Sequence, residues 1–443
     1  MARLFGTDGI RGIANVDLKP TLAYGLGRAT AHALLGDGGS LVIGQDTRRS
    51  GGMFVAAIAA GAASLGADVQ LAGTLPTPAL AFLAGSGDFG AGIMVSASHN
   101  PAEDNGLKVL DARGMKLDDD REDALEALIW RAEELVGPRN EGIGRVAAAP
   151  GLLERYRAHR LALARTIQTD LRIVLDCANG SGGVFAPEIL AATGARVEVI
   201  YNSPDGVNIN VNCGATAPAA LGRAVAERGA DLGFALDGDA DRLVVVDRHG
   251  RVVDGDQLIG LIALDRQRRG ALRNGVVVVT VLSNGGLETA IGAAGGQVVR
   301  TPVGDKYILE GMLVNDASLG GEKSGHVIVL DHGSSGDGLA TGLELLSVLA
   351  RADRSVDELA AEIPLFPQEQ RAVRVRHKDQ WEGDPILRRT IASAQARLGP
   401  GGRVLVRPSG TEPALRVMIE GPDAGLVAEL ADEISTLAGE RLN

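Results

Sequence analysis

Three times along this chain a short apolar run, rich in β-branched residues, ends in a polar, glycine-containing loop and passes into a helical pattern: Val42-Ile-Gly-Gln-Asp-Thr47, Val174-Leu-Asp-Cys-Ala-Asn-Gly180 and Val279-Thr-Val-Leu-Ser-Asn-Gly-Gly286. Strand-like runs at 41–43, 93–95, 173–175, 197–200, 244–246, 276–281 and 327–330 alternate with helical patterns over 21–35, 218–228, 256–268 and 337–350. Such alternation argues for parallel α/β layers. Val276-Val-Val-Val279 is apolar throughout, as strands buried on both faces are. Each repeated unit is followed by a second strand carrying an unusual polar loop. The reading is therefore three similar α/β domains in series. The tail differs. Runs at 371–376, 403–406 and 417–420 look like strands, and Leu426, Val427, Leu430, Ile434 and Leu437 then share one helical face. That predicts a smaller C-terminal α+β domain. The expected domains are 1–152, 153–254, 255–367 and 368–443, with a linker at Ile363-Pro-Leu-Phe-Pro367.

Length agrees with several domains, since 443 residues is about three or four times a typical one. The 61 glycines follow no three-residue period, so they belong to turns and ligand loops rather than collagen. With 44 basic and 56 acidic residues the net charge is −12, which disfavours nucleic acid and anionic membranes as partners. Cys177 and Cys213 are too few for a disulfide framework or a four-thiolate zinc site, and suit a reduced, cytoplasmic setting as buried thiols. The N-terminal stretch lacks an apolar signal core. Residues 50–67 and 69–87 are uncharged but too rich in Ala, Gly and Pro for membrane spans. They read as a small-residue helix and a loop in a soluble core. His32, His159, His249, His377, Trp130 and Trp381 belong to no convergent motif and read as structural or solvated.

Four loops carry chemistry. In Asp237-Gly-Asp-Ala-Asp-Arg242, between strand-like runs at 232–236 and 243–247, three carboxylates at alternate positions of an extended segment point to one side. They repel unless a cation joins them, and oxygen-only ligands suit Mg²⁺. A solvated acidic turn is the bland alternative, and apolar strands on both sides argue against it. Val95-Ser-Ala-Ser-His-Asn-Pro101 follows a strand-like run, where α/β enzymes place reacting groups. Ser98 is the candidate nucleophile. His99, its chain neighbour, is expected to point away from it, and no Gly-x-Ser-x-Gly surrounds the serine. In Gly320-Gly-Glu-Lys-Ser-Gly-His326, Glu322 and Ser324 suit sugar hydroxyls, and His326 suits proton transfer near neutrality. Arg407-Pro-Ser-Gly-Thr-Glu-Pro413 offers a cation, two hydroxyls and backbone donors, a phosphate clamp in an acidic chain. Together they describe phosphoryl transfer on a phosphorylated sugar, with phosphate on Ser98 and one Mg²⁺ on Asp237, Asp239 and Asp241. Three carboxylates and a phosphoserine against one Mg²⁺ leave roughly −3, so Arg11, Lys108 and Arg242 are the expected balancing cations.

These four loops, in this order, resemble the α-D-phosphohexomutase superfamily over essentially the whole chain. The resemblance implies that Ser98 is the phosphorylated serine and, through its phosphate, a metal ligand. It implies that Asp237, Asp239 and Asp241 hold Mg²⁺, Arg11 and Lys108 flank the serine, and Glu322 and Ser324 bind sugar. Arg407, Ser409, Gly410 and Thr411 would take the distal phosphate. Ser98, Arg11, Lys108 and His326 are thus the expected catalytic residues, with Arg242 and His99 supporting. Phe5-Gly-Thr-Asp-Gly-Ile-Arg-Gly12, Pro204-Asp-Gly-Val-Asn-Ile-Asn210, Cys213-Gly-Ala215, Asp331-His332 and Gly336-Asp-Gly338 resemble the branch acting on glucosamine phosphates. Lys323 departs from the Gln common there. The implied reaction interconverts glucosamine 6-phosphate and glucosamine 1-phosphate through a 1,6-bisphosphate, with that compound or glucose 1,6-bisphosphate as activator, by a monomer or homodimer. The same mechanism on glucose or mannose phosphates is the nearest alternative. A Mg²⁺ phosphatase with an Asp237 nucleophile and a non-catalytic sugar-phosphate binder are more distant ones.

Overall fold

A computed structural model describes residues 3–36, 38–409 and 413–443. The chain packs as two compact units, one of residues 1–282 and 294–361, the other of residues 283–293 and 362–443. No helix among the described residues is long and apolar enough to cross a membrane.

The first unit carries three sheets. The first contains β1 (Ile10–Ile13), β2 (Ser40–Gln45), β3 (Asp68–Thr74), β4 (Ala91–Val95), β5 (Asp104–Asp111) and β6 (Val146–Ala148), in the order β1-β5-β4-β2-β3-β6. The second contains β7 (Arg172–Asp176), β8 (Arg196–Ile200), β9 (Leu232–Leu236), β10 (Leu243–Asp247) and β11 (Val252–Val253), in the order β11-β10-β9-β7-β8. The third contains β12 (Val276–Thr280), β13 (Gln297–Thr301), β14 (Leu319–Gly321) and β15 (Val327–Val329), in the order β13-β12-β14-β15.

The sheets are mixed, not purely parallel as the alternation suggested. In each, a central strand (β2, β7 or β12) pairs in parallel with both neighbours. The second of those neighbours then turns back antiparallel, as β4 into β5, β9 into β10 and β14 into β15. The three repeats thus share one strand block that ends in a hairpin. A hairpin needs only a short loop, so no helical spacer marks it in the sequence.

Residues 69–87, expected as a loop, form most of β3 and a helix, Thr77–Ala84. Pro76 and Pro78 punctuate the helix start, where a missing N–H costs nothing. The small-residue segment is the helix Gly51–Ala63, packed on the helix Pro20–Thr30. A Cβ on Gly27 would lie 2.2 Å from the Ile58 carbonyl oxygen, and one on Gly61 2.2 Å from that of Tyr24. Glycine is therefore required by close backbone approach. Cys177 and Cys213 are buried free thiols; burial and then Asp176 push Cys213 up to about 12.

The second unit contains β16 (Gln368–Arg374), β17 (Arg403–Pro408) and β18 (Ala414–Glu420) in an antiparallel sheet of order β16-β18-β17. Helices Pro385–Leu398 and Ala424–Arg441 cover it, with Leu387, Leu415, Ile419, Val427, Leu430 and Ile434 in its core. The expected small α+β fold is what forms.

Candidate active site

The three hairpin turns of the first unit converge. The β4–β5 turn carries Ser98, the β9–β10 turn the three aspartates, and the β14–β15 turn Glu322 and Ser324. The backbone stitches them together: Leu243 donates to the Gly325 carbonyl, Thr77 to that of Asp239, and Arg242 bridges His326.

Asp237, Asp239 and Asp241 are buried, with one oxygen from each within 4.8 Å of the others. They converge for a reason other than strand alternation. Residues 237–242 form a tight turn with Ala240 at φ 55°, held by Ala240 N–H on the Asp237 carbonyl and Arg242 N–H on the Asp237 carboxylate. Burial pushes Asp237 well above the usual carboxylate range, and Asp241 and Asp239 push it further. Burial also raises Asp241, but Lys108 and His326 outweigh it and hold Asp241 low. Lys108 is itself buried, 2.8 Å from Asp239, 3.0 Å from Asp8 and 3.7 Å from Asp241. Burial opposes its charge, and these carboxylates raise its pKa regardless.

Asp239 Oδ1 and Asp241 Oδ1 are buried without a hydrogen-bond partner. Two orphaned anionic oxygens facing a third carboxylate, with no nitrogen or sulfur donor, fit a hard divalent cation such as Mg²⁺. Thr77 Oγ1 occupies the other oxygen of Asp239 at 2.5 Å.

Ser98 is buried and its hydroxyl donates to Asp237 Oδ2. Its φ of 52° is left-handed, costly for a non-glycine residue by roughly 1–3 kcal/mol. Against expectation, His99 does not point away: its Nδ1 lies 3.4 Å from Ser98 Oγ. Burial, then Arg242 and Arg11, hold His99 down to about 4, so its ring is neutral. Arg11 pairs with Asp8 and donates to Asn100 Oδ1 at 3.0 Å, while its Nε is buried and unpartnered. Arg242 Nε lies 3.8 Å from Asp241.

Ser324 Oγ donates to Glu322 at 3.1 Å, and Glu322 also accepts from Gly304 N–H at 3.2 Å. His326 departs from the expected role of proton carrier near neutrality. Burial pulls its pKa down, yet Asp241 at 3.6 Å, with Asp305 and Glu322, raises it to about 9. With Asp241 bare, these carboxylates favour the charged ring. Lys323 pairs with Asp254 at 3.2 Å.

The fourth loop lies in the second unit. Arg407 stands on β17 opposite Arg416 on β18; burial and then Arg416 lower its pKa, and no carboxylate pairs with it among the described residues. Ser409 is buried, with its carbonyl accepting from Lys378. Gly410 and Thr411 lie outside the described residues.

Sequence reasoning passed over several residues here. Asp8 gathers Arg11, Lys108 and Lys116; Lys116 also pairs with Asp305. Arg48 and Asn210 grip the serine loop. Asp8 and Asn210 sit inside motifs quoted for the resemblance, but nothing local told their side chains from turn formers.

Known proteins bear out the family. Profiles described as phosphoglucomutase/phosphomannomutase alpha/beta/alpha domains I, II and III match residues 2–136, 154–250 and 254–366, and the C-terminal domain matches 372–437. A phosphoglucosamine mutase of Moorella thermoacetica is 49% identical over 426 residues, 96% of either chain. One of Carboxydothermus hydrogenoformans is 47% identical over 437 residues, 98% of either. A solved phosphoglucomutase/phosphomannomutase family protein of Burkholderia thailandensis superposes with TM-score 0.84 at 26% identity, over 99% of this chain and 98% of that one. The chain belongs to the phosphoglucomutase/phosphomannomutase family of isomerases, in its phosphoglucosamine mutase branch.

Proposed function

We propose that this chain interconverts glucosamine 6-phosphate and glucosamine 1-phosphate by phosphoryl transfer through Ser98, on the route to UDP-N-acetylglucosamine. The observation that carries this reading is the Ser98 hydroxyl set on Asp237, beside two orphaned carboxylate oxygens and the buried Lys108. Asp237, Asp239 and Asp241 would hold one Mg²⁺, which would supply positive charge beside the transferring phosphoryl.

In the forward direction, the free sugar hydroxyl attacks the phosphorus of phospho-Ser98. The new O–P bond forms as the bond to Ser98 Oγ breaks, and the proton lost by the sugar hydroxyl is matched by one gained at Ser98 Oγ, which returns to the hydroxyl that donates to Asp237. The 1,6-bisphosphate then turns end for end, and Ser98 Oγ takes the other phosphoryl, restoring the phosphoenzyme. Lys108 and Arg11 supply positive charge along this path. Glu322 and Ser324 orient sugar hydroxyls, and His326 and Arg242 offset Asp241. Arg407, Ser409, Gly410 and Thr411 provide the anion site for the phosphate not being transferred. Lys323 does not oppose an amino sugar, because its charge is directed at Asp254. Glucose 1,6-bisphosphate serves as activator by phosphorylating Ser98.

The test is the ratio of kcat/KM for glucosamine 6-phosphate to that for glucose 1-phosphate and mannose 1-phosphate, with Mg²⁺ and catalytic glucose 1,6-bisphosphate. Preference for the amino sugar supports the reading. Preference for a neutral hexose keeps the mechanism and overturns the substrate. Release of inorganic phosphate alone makes the chain a phosphatase.

A further inference from the structure

The left-handed backbone at Ser98 must be held by something, because an isolated serine would relax out of it. Two side chains from different repeats meet at this loop. Arg48, after β2, has no exposed side-chain surface and pairs with Asp46 at 2.9 Å. Its remaining donors go to carbonyls of the serine loop: Ser98 at 3.0 Å, Asn100 at 2.8 Å, Asp104 at 3.0 Å, and Pro101. Asn210 comes from the second repeat. Its Nδ2 donates to the same two carbonyls, Ser98 at 2.9 Å and Asn100 at 3.1 Å. Asn210 is anchored in turn: its N–H donates to the Ala178 carbonyl, and the Ala178 N–H is taken by the buried Asp176 at 2.8 Å. On the amide side, Ser98 N–H is taken by Ser96 Oγ at 2.9 Å, and Ser96 donates to Asp46 at 2.7 Å.

We propose that Arg48 and Asn210 are positioning residues for phosphoryl transfer, a two-sided clamp on the Ser98 and Asn100 carbonyls that aims Ser98 Oγ at the aspartate turn. This rests on the reading of Ser98 as phosphoryl carrier. The clamp matters because the serine must present the same oxygen at the same place in both half-reactions, once as leaving group and once as nucleophile. Neither residue is placed to touch sugar: Arg48 spends its donors on Asp46 and backbone carbonyls, and Asn210 Nδ2 on backbone carbonyls. Their loss therefore acts on the transfer step and not on sugar binding. Asn210 reaches the loop from a neighbouring repeat and contributes no hydrophobic core, so truncating it leaves each sheet intact.

The experiment compares wild type, Asn210→Ala, Asn210→Asp and Arg48→Lys. Each is incubated with glucose 1,6-bisphosphate carrying labelled phosphoryl groups, and the rate of Ser98 phosphorylation is read by peptide mass and radioactivity. kcat and KM are measured on glucosamine 1-phosphate, and Tm alongside. Asn210→Ala and Asn210→Asp are expected to slow Ser98 labelling and lower kcat about 10- to 100-fold while KM changes little. Asn210→Asp keeps the shape but exchanges the donor for a carboxylate, so a loss equal to that of Asn210→Ala assigns the effect to the hydrogen bonds and any excess reads the added charge. Arg48→Lys keeps the charge beside Asp46 without the fork and is expected to lose as much; should it fail to fold, the Asn210 pair decides. Wild-type labelling and kcat in Asn210→Ala, or a change confined to KM, overturns the clamp. A wild type labelled somewhere other than Ser98 overturns the carrier reading itself.

Discussion

Ser98 and Lys108 show how much a single buried side chain is asked to do here. Ser98→Ala should lower turnover by roughly 10⁴-fold or more, since among the described residues no other hydroxyl donates to Asp237; steady-state assay and retained Tm check this. Lys108 faces three carboxylates from a fully buried position, so Lys108→Met leaves uncompensated negative charge in the interior. Loss of one partner of a buried pair costs about 3–5 kcal/mol. The fall in Tm should be large in chelator and much smaller in millimolar Mg²⁺, because the cation supplies the missing charge; equal falls under both conditions would remove the metal from the triad. Asp239→Asn should raise the Mg²⁺ concentration for half-maximal activity at least about tenfold.

At the scale of elements, the site is one hairpin used three times. Each repeat ends its strand block with a β-turn-β unit, and the three turns hold the serine, the carboxylates and the sugar-facing pair. Their fit leaves no slack. A Cβ on Gly238 would lie 2.6 Å from the Ser98 carbonyl oxygen and 2.7 Å from Ile209 Cδ1. Gly238→Ala should therefore displace the serine loop against the aspartate turn, lowering kcat about 10-fold or more with a destabilisation of about 1–3 kcal/mol. Kinetics and chemical denaturation on the same preparation separate the two effects. This contact also explains why the four motifs were readable in sequence while their connections were not. Polar loops after apolar strands stand out locally. The grip of Arg48 and Asn210 on Ser98, 50 and 112 residues away, leaves no local trace.

Over the whole molecule, buried charge sets the acid limit of stability. Burial raises Glu344, but hydrogen bonds from His332 and Arg266 outweigh it and bring it down to about 2. A carboxylate lowered by folding contributes stability above its unfolded pKa, and that contribution is lost as pH falls through the folded value. Glu344 should thus contribute up to roughly 3 kcal/mol at neutral pH, disappearing between about pH 5 and 2. Glu344→Gln should flatten the acid limb of a Tm-against-pH curve over that interval; an unchanged limb would show the pair to be energetically silent. What the sequence by itself determined was the class of fold and the inventory of chemistry. Apolar strands, glycine-bearing loops and helical faces are local signals, because burial and backbone freedom act residue by residue. Tertiary structure decided the direction of the hairpin strands, the strand and helix within residues 69–87, and the turn that gathers Asp237, Asp239 and Asp241. It also decided which charged groups surround His326 and His99 and so the direction in which each is shifted. Those shifts depend on which distant groups share one low-dielectric interior, and electrostatic energy there is set by distance in space, to which separation along the chain is no guide.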